Sequence, residues 1–412
     1  MITFAIIGMG GRGRRLTREA VALGAKLVAV CDKNIHLVAD EVSKYDVDKS
    51  MMFTDDDAFF KAGKLADLII ISTQDALHFK HSLLAIECGY DIMLEKPIST
   101  DYEKCAEIAR QADLKGVKVF VCHSMRYMPF FEKVKEIVDS GAIGKINAIN
   151  QTENVGYWHF AHAFVRGKWS KMADSTPTII AKCCHDLDMI CWLMGDDVKS
   201  VSSIGGLTFF TKDNAPEGSA SHCFECKVRE DCPYDCHKLY CPQPGWLINC
   251  LPYVIDLNDK EQVAKALTDK SHNFSRCVFA CENDALDNQM VNIHFNNGAT
   301  AHLTMNAFSK EVYREIHIHG TLGDIIGNTE DDVITLNRFG KQTEVIDLGG
   351  HTKTDLDRGF VEDVLNTVKN GESAHVGGSS LIGGALVSHK IGFSAEQSRL
   401  NGGQLIVFDK EN

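Results

Sequence analysis

Two constellations in this 412-residue sequence have residue types and spacings suited to chemistry. The first is "GMGGRG", where Gly8, Gly10 and Gly13 form a G-x-G-x-x-G pattern directly after the apolar run "TFAII". On a strand-to-helix turn these glycines bring backbone amides up to a pyrophosphate, and Gly10 leaves room for it. Gly11 and Arg12 belong to the same turn. Asp32 closes the next apolar run, "KLVAVCD", 19 residues past Gly13. A carboxylate there accepts hydrogen bonds from the adenosine ribose hydroxyls and repels a 2′-phosphate. The reading is a site for NAD in preference to NADP, with Arg12 and Lys33 as the cations near enough to hold an extra phosphate. The second constellation, "HCFECKVREDCPYDCHKLYC", gathers Cys223, Cys226, Cys232, Cys236 and Cys241 within 20 residues. Cys223-x-x-Cys226 has zinc-ligand spacing, and Cys232 with Cys236 completes a tetrahedral thiolate set. One structural zinc ranks first; an iron-sulfur cluster and a loop of unligated thiols are the alternatives. His222 or His237 could each replace one cysteine.

The elements that must position these residues follow from the apolar pattern. "TFAII", "KLVAV", "ADLIIIST", "YDIML" and "KVFVC" alternate with helical stretches such as Leu77 to Cys88 and Asp101 to Lys115. Strand, helix, strand at this pitch predicts a doubly wound parallel sheet, and a run as apolar as Leu68 to Ile71 predicts helices on both faces. This Rossmann-type domain takes residues 1–123, and a second α/β domain takes 124–412. The second domain opens with a helix at Pro129 to Ser140 and a strand near Lys145 to Thr152. Its later part is antiparallel: "QMVNIHF" and "ATAHLTM" flank the hairpin signal Asn296-Asn297-Gly298, and "REIHIHG" continues the alternation. Helices at about Asp357 to Lys369 and Ser380 to Ser398 and a strand at "QLIVF" close the chain, and the cysteines sit in an insertion at about 215–250. A net charge of −13 with no basic run argues against nucleic acid as a partner. No apolar run reaches the roughly 18 residues of a membrane span, and no basic-then-apolar leader precedes the first strand, so a cytoplasmic location with reduced thiols is expected.

After the fourth, fifth and sixth strands come "STQDALH", "EKPIS" and "SMRYMPFFEKVKEIVDSGAIGKI", and "HDLDMICWL" begins later at His185. In order and spacing these resemble the Gfo/Idh/MocA family of NAD(P)-dependent oxidoreductases over nearly the whole chain. The resemblance implies a Rossmann domain, then an α/β domain whose large open sheet mediates homo-oligomer assembly as a dimer or tetramer, with the nicotinamide between the two. It places Thr73, His78, Glu95 and Lys96 at the cofactor, and Lys96 and His185 facing the substrate. Gln74 replaces a proline common in the family. Relative to the inositol dehydrogenase pattern, Ala181 stands where an aspartate precedes the histidine by one helical turn, which leaves Lys182 as the neighbouring ionisable group.

Hydride transfer from a secondary alcohol needs a base for the hydroxyl proton and a cation for the developing alkoxide, roles that suit His185 and Lys96. Glu95 is expected to orient Lys96. In "GYWHFAHAFVRGKW", Trp158, His159, His162, Arg166 and Trp169 have the rings and polar tips of a carbohydrate site. The expected function is NAD-dependent oxidation of a ring hydroxyl of a sugar, glycoside or cyclitol to the ketone. The runner-up is a glycoside hydrolase that retains NAD and acts by transient oxidation and elimination.

Overall fold

The structure, a computed structural model, describes residues 1–247, 250, 251, 253, 255–350 and 356–408. Strands β1 (Thr3–Ile7), β2 (Lys26–Cys31), β3 (Met52–Phe53), β4 (Leu68–Ile71), β5 (Asp91–Leu94) and β6 (Val119–Val121) form one parallel sheet in the order β3-β2-β1-β4-β5-β6. Its strands are apolar on both faces because both are covered. In β4, Leu68 and Ile70 pack with Leu16 and Ala20 of the helix Gly11–Ala22, while Ile69 and Ile71 pack with Ala85, Ile86 and Ile108 on the opposite side. The first of these cores also takes Phe360, Val361 and Val364 from the helix Leu356–Asn370, so the chain returns late to cover the first sheet.

The second sheet is built from β7 (Ile146–Asn154), β8 (Val198–Gly206), β9 (Asn288–Phe295), β10 (Thr300–Asn306), β11 (Tyr313–Gly320), β12 (Gly323–Asn328), β13 (Val333–Arg338), β14 (Glu344–Asp347) and β15 (Ile406–Val407). The order is β14-β13-β12-β11-β7-β10-β9-β8-β15. The β7–β10 pair is parallel and the others antiparallel. The Asn296-Asn297-Gly298 turn joins β9 to β10, with Gly298 at φ +88°, a conformation glycine adopts without strain. Val291, Ile293, Leu303 and Met305 point to the core shared with the helices Pro129–Asp139 and Cys184–Met194. The other face leaves Ile204, Met290, Ile326 and Val345 exposed.

Two segments differ from their sequence-based expectation. The apolar stretch "PTIIAKCCHDLDMICWLMG" reads in sequence as one helix carrying His185, but it breaks at Lys182–Cys183, between Thr178–Ala181 and Cys184–Met194. The cysteine-rich insertion is longer than 215–250 and fills the whole connection from β8 to β9, with short helices at Cys236–Tyr240 and Lys260–Ala266 and a small core of its own around Tyr240, Leu247, Leu267 and Phe274. Positions 248 and 249 of the expected insertion lie outside the described residues.

Candidate active site

Strand order reverses between β1 and β4, and their carboxyl ends part to form a crevice. The glycines there answer to sterics. Gly8 has φ +90°, and a Cβ on it would lie 2.6 Å from the Ser72 carbonyl oxygen; a Cβ on Gly13 would run into the carbonyl oxygen of Gly8. Gly10 and Gly11 instead face open space, and Gly10 is on the wall of a cleft of about 410 Å³. The helix Gly11–Ala22 starts at this wall, so its first unpaired amides are available to an anion.

Asp32 lines the same cleft, with its carboxylate fixed by the amides of Met9 and Asn34 at 2.8 Å each. Asp55, Asp56, Ser72, Thr73, Gln74 and Lys168 join the lining, and of these the sequence reading assigned only Thr73 to the cofactor. Thr73 Oγ1 meets His81 Nδ1 at 3.1 Å, and His81 Nε2 meets Asp56 at 3.0 Å. A hydrogen bond from Lys80 holds Asp56 down to about 2, so it is a full negative charge beside the cleft. An open glycine turn, free helix amides and a fixed carboxylate fit NAD.

Two residues assigned to the cofactor do other work. Arg12 spends its donors on Glu95 (2.7 Å) and, as a fork, on Asp357 (2.9 Å twice), so it ties the first helix to the late helix and is not free to hold a phosphate. His78 is fully buried, with Nδ1 2.7 Å from the Pro97 carbonyl and Nε2 3.2 Å from that of Thr73. It pins the loop after β4 to the loop after β5.

Glu95 does not orient the Lys96 ammonium. One of its oxygens takes Arg12 and the other accepts the Lys96 backbone N–H at 3.2 Å. Lys96 Nζ reaches across to the second domain and donates to the Ala181 carbonyl at 2.7 Å, where the helix is broken. Ala181 therefore contributes through its backbone, a role invisible when only side chains are compared.

Burial first, then the charge of Lys96, pushes His185 well below the usual histidine value, so its imidazole is neutral at physiological pH. Its Nδ1 is enclosed without a hydrogen-bond partner among the described residues. The His123 ring stands edge-on 5.8 Å away and stacks at 5.7 Å on His389. His389 Nε2 accepts the Ile98 amide and Nδ1 faces the Ala385 carbonyl; burial presses it down to about 3, so it is a neutral spacer. His123 Nδ1 lies 2.8 Å from Asp188, which Arg126 grips with two bonds of 2.7 Å.

Lys182 pairs with Glu153 on β7 at 2.9 Å, and Arg314 bridges Glu153 and Asp186 at 2.5 and 3.2 Å. Its charge weighs more on His159, which burial and then Lys182 hold well below the usual value, than on His185, where it ranks behind Lys96, His123 and Arg314. Lys182→Met removes one of these cations and leaves Glu153 less compensated. The rising limb of kcat/KM against pH should therefore move upward by less than about one unit. A pH series on the variant checks this, and an unmoved limb would mean that Glu153 already screens Lys182 completely.

The aromatic segment divides. His159 lies near Lys96 and Lys182. The Trp158 ring packs 4.0 Å from Trp246 of the insertion, and both line a pocket of about 220 Å³ with Tyr157, Lys238, Gln243, Lys310 and Glu311. His162 is not a substrate contact: its Nδ1 meets the Tyr240 hydroxyl at 3.1 Å, its ring stacks on Phe274, and burial brings it down to about 4. Trp169 donates to Asp75 at 3.2 Å and packs on Phe164, tethering the second domain to the helix after β4. Arg166 is buried inside the insertion, donating to the carbonyls of Arg276 and Tyr234 at 2.8 Å each.

The cysteines also regroup. Cys223, Cys226 and Cys232 line a small cavity together with Cys277, which lies far along the sequence; Cys236 is absent from that lining. Cys223, Asp235 and Cys236 have ligand atoms within 4.8 Å of one another. A hydrogen bond from the Cys236 thiol holds the Cys223 thiol below its ordinary value.

A doubly wound dinucleotide domain whose Lys96 reaches across to the second domain, near the half-buried His185, has the architecture of a two-domain nicotinamide-dependent oxidoreductase. The chain belongs to the Gfo/Idh/MocA oxidoreductase family: its NAD-binding Rossmann fold matches residues 2–123 and its C-terminal alpha/beta domain residues 135–380. The sequence is 24% identical over 282 residues to the oxidoreductase YteT of Bacillus subtilis, covering 66% of this chain and 63% of that one. It is 26% identical over 208 residues to the 2,7-anhydro-N-acetylneuraminate hydratase of Mediterraneibacter gnavus, covering 50% and 52%. The matches thus span less than two thirds of either relative. Levoglucosan dehydrogenase, solved in complex with NADH and L-sorbose, shares the fold with a TM-score of 0.72 at 16% identity, over 100% of this chain and 99% of that one. Among the described residues, no helix is long and apolar enough to cross a membrane.

Proposed function

We propose that this chain oxidises a ring hydroxyl of a sugar, glycoside or cyclitol to the ketone, with NAD as its nicotinamide. The observation that carries the reading is a neutral, half-buried His185 under the influence of a Lys96 ammonium anchored by the Ala181 carbonyl. NAD, when bound, supplies the hydride acceptor; Gly8, Gly10, Asp32 and Thr73 would hold it. An ammonium has three donors, and with one on Ala181, Lys96 keeps two for the substrate oxygen. His185 takes the hydroxyl proton at Nε2, since Nδ1 is enclosed, while Lys96 favours the alkoxide. Trp158, Trp246 and Tyr157 offer ring faces, and Gln243, Lys238 and Glu311 offer partners for hydroxyls, in the pocket beside His159. A sugar as substrate is supported by the L-sorbose complex of the structural relative. The exposed apolar side chains on the second sheet support assembly of like chains through that face.

A second reading rests on His159. A second neutral imidazole beside Lys182 and Lys96 gives the extra base that elimination after transient oxidation needs, and one relative is a hydratase. Stoichiometry separates the two. Glycosides, monosaccharides and inositols incubated with NAD should yield one NADH per ketone; release of aglycone with no net change in nicotinamide absorbance would replace the dehydrogenase with the hydrolase.

Cofactor choice follows from charge. Asp32, Asp55 and Asp56 face the cleft against Lys33 and Lys168, so NAD should bind about tenfold or more tighter than NADP, worth about 1.4 kcal/mol. Asp32→Ala should narrow that gap. Calorimetry giving equal wild-type affinities would contradict the assignment.

A further inference from the structure

We propose that Cys223, Cys226, Cys232 and Cys277 bind one zinc ion as a closed tetrathiolate site that staples the insertion to the second domain. Three chain segments meet here. The Cys226 amide turns back onto the Cys223 carbonyl at 3.2 Å, and the Cys232 amide onto the Arg229 carbonyl at 3.2 Å, so each cysteine ends a tight turn. Cys277 is brought alongside by its amide on the Ser221 carbonyl (2.9 Å) and by the antiparallel bridge His222↔Arg276. The four line one small cavity of about 20 Å³, room for about one water-sized occupant.

Arg166 is the independent observation. This guanidinium, 2% exposed, lines the cavity, donates to two carbonyls, contacts Cys223 Sγ at 3.5 Å and interacts with the Tyr240 hydroxyl, and among the described residues its Nη1 has no hydrogen-bond partner within the usual geometry. It has no carboxylate ion pair among the described residues, since Asp235 on the same cavity pairs with Arg229 at 3.6 Å, and the largest opposite-sign influences on it come from Tyr240, Cys223, Cys281 and Cys236. A buried cation needs a counter-charge. Four neutral thiols give none, whereas four thiolates around Zn²⁺, formed with release of four protons, carry a net charge of −2.

The triple of Cys223, Asp235 and Cys236 is closer in space and shares Cys223 with the proposed set, so the choice between Cys236 and Cys277 is what the variants below decide. Asp235 caps the helix Cys236–Tyr240 through the His237 and Lys238 amides, and Cys236 Sγ sits 3.4 Å from His237 Nδ1.

Full-length protein, purified under reduction, should contain about one zinc per chain, released by a thiol-modifying reagent. Cobalt replacing it should give the intense sulfur-to-metal charge transfer and visible bands of a four-sulfur tetrahedral site, a signature that needs no variant. Cys277→Ser should weaken metal retention at least about 100-fold, and Cys236→Ser should leave it unchanged, both keeping NAD affinity as the check on folding. If Cys277→Ser does not fold, Cys277→His, which keeps a ligand, should bind cobalt with a three-sulfur spectrum. Metal loss in Cys236→Ser with retention in Cys277→Ser would overturn the ligand set. Protein that takes up neither zinc nor cobalt, or that carries inorganic sulfide and iron, would overturn the zinc site.

Discussion

Replacing His185 with asparagine is expected to lower kcat by about 10²–10⁴-fold while leaving NAD affinity unchanged. The asparagine keeps a polar group of similar size but cannot take the hydroxyl proton, and the Gly8 to Gly13 turn and Asp32, which face the cofactor cleft, belong to the other domain. Lys96→Met should cost a similar factor, because it removes both the cation and the hydrogen bond to Ala181 that spans the two domains. The pH profile carries the sign. Burial and Lys96 lower the pKa of His185, and the neutral form is the active one, so kcat should rise with pH through a value below about 6.5 and level off above it. A limb at or above 6.5 would contradict a desolvated base. Near-normal rates across pH for His185→Asn would move the base to His159, on which Lys182 and Lys96 also act; His162 is excluded by its place against Tyr240 and Phe274.

The first domain was legible because its signals are local. A glycine turn between an apolar run and a helix, and an acid at the end of the next strand, are consecutive in sequence, and backbone sterics at Gly8 and Gly13 enforce them. The same holds for the β9–β10 hairpin, whose turn chemistry lies in three residues. The errors fall where a residue's partner is remote. Arg12 reads as a phosphate ligand until Asp357 arrives from the end of the chain, and His78 reads as a cofactor contact until the loop after β5 folds against it. Nothing in the pattern around Lys182 signals a helix break, so the carbonyl that holds Lys96 had no sequence mark. Arg166, His162 and Trp169 were grouped by composition, and the structure sends them to three different surroundings because the insertion, with its own core, intrudes between them. Cys277 escaped because a spacing rule sees only neighbours, although the remaining cysteines downstream were a countable signal.

Asp188→Ala is expected to destabilise the protein by about 3–5 kcal/mol, because it leaves Arg126 a buried charge with its fork empty. Both side chains are almost wholly buried, Arg126 gives two bonds of 2.7 Å, and His123 adds a contact at 2.8 Å from beside His185. Removing both charges is a different matter: Arg126→Met with Asp188→Leu should recover most of the loss, since apolar groups of similar volume need no counter-charge. Against the opposing effect of burial, Arg126 and His123 hold the Asp188 carboxyl far below its ordinary value. A carboxyl depressed on folding contributes stability that is fully present above its unfolded value near 4 and is lost as pH falls below it. Urea midpoints measured between pH 7 and pH 3 should therefore fall more steeply for the wild type than for the double variant. A loss below about 1 kcal/mol for Asp188→Ala at pH 7 would show that water reaches Arg126, and the histidine row above it would then rest on hydrated ground instead of a dry ion pair.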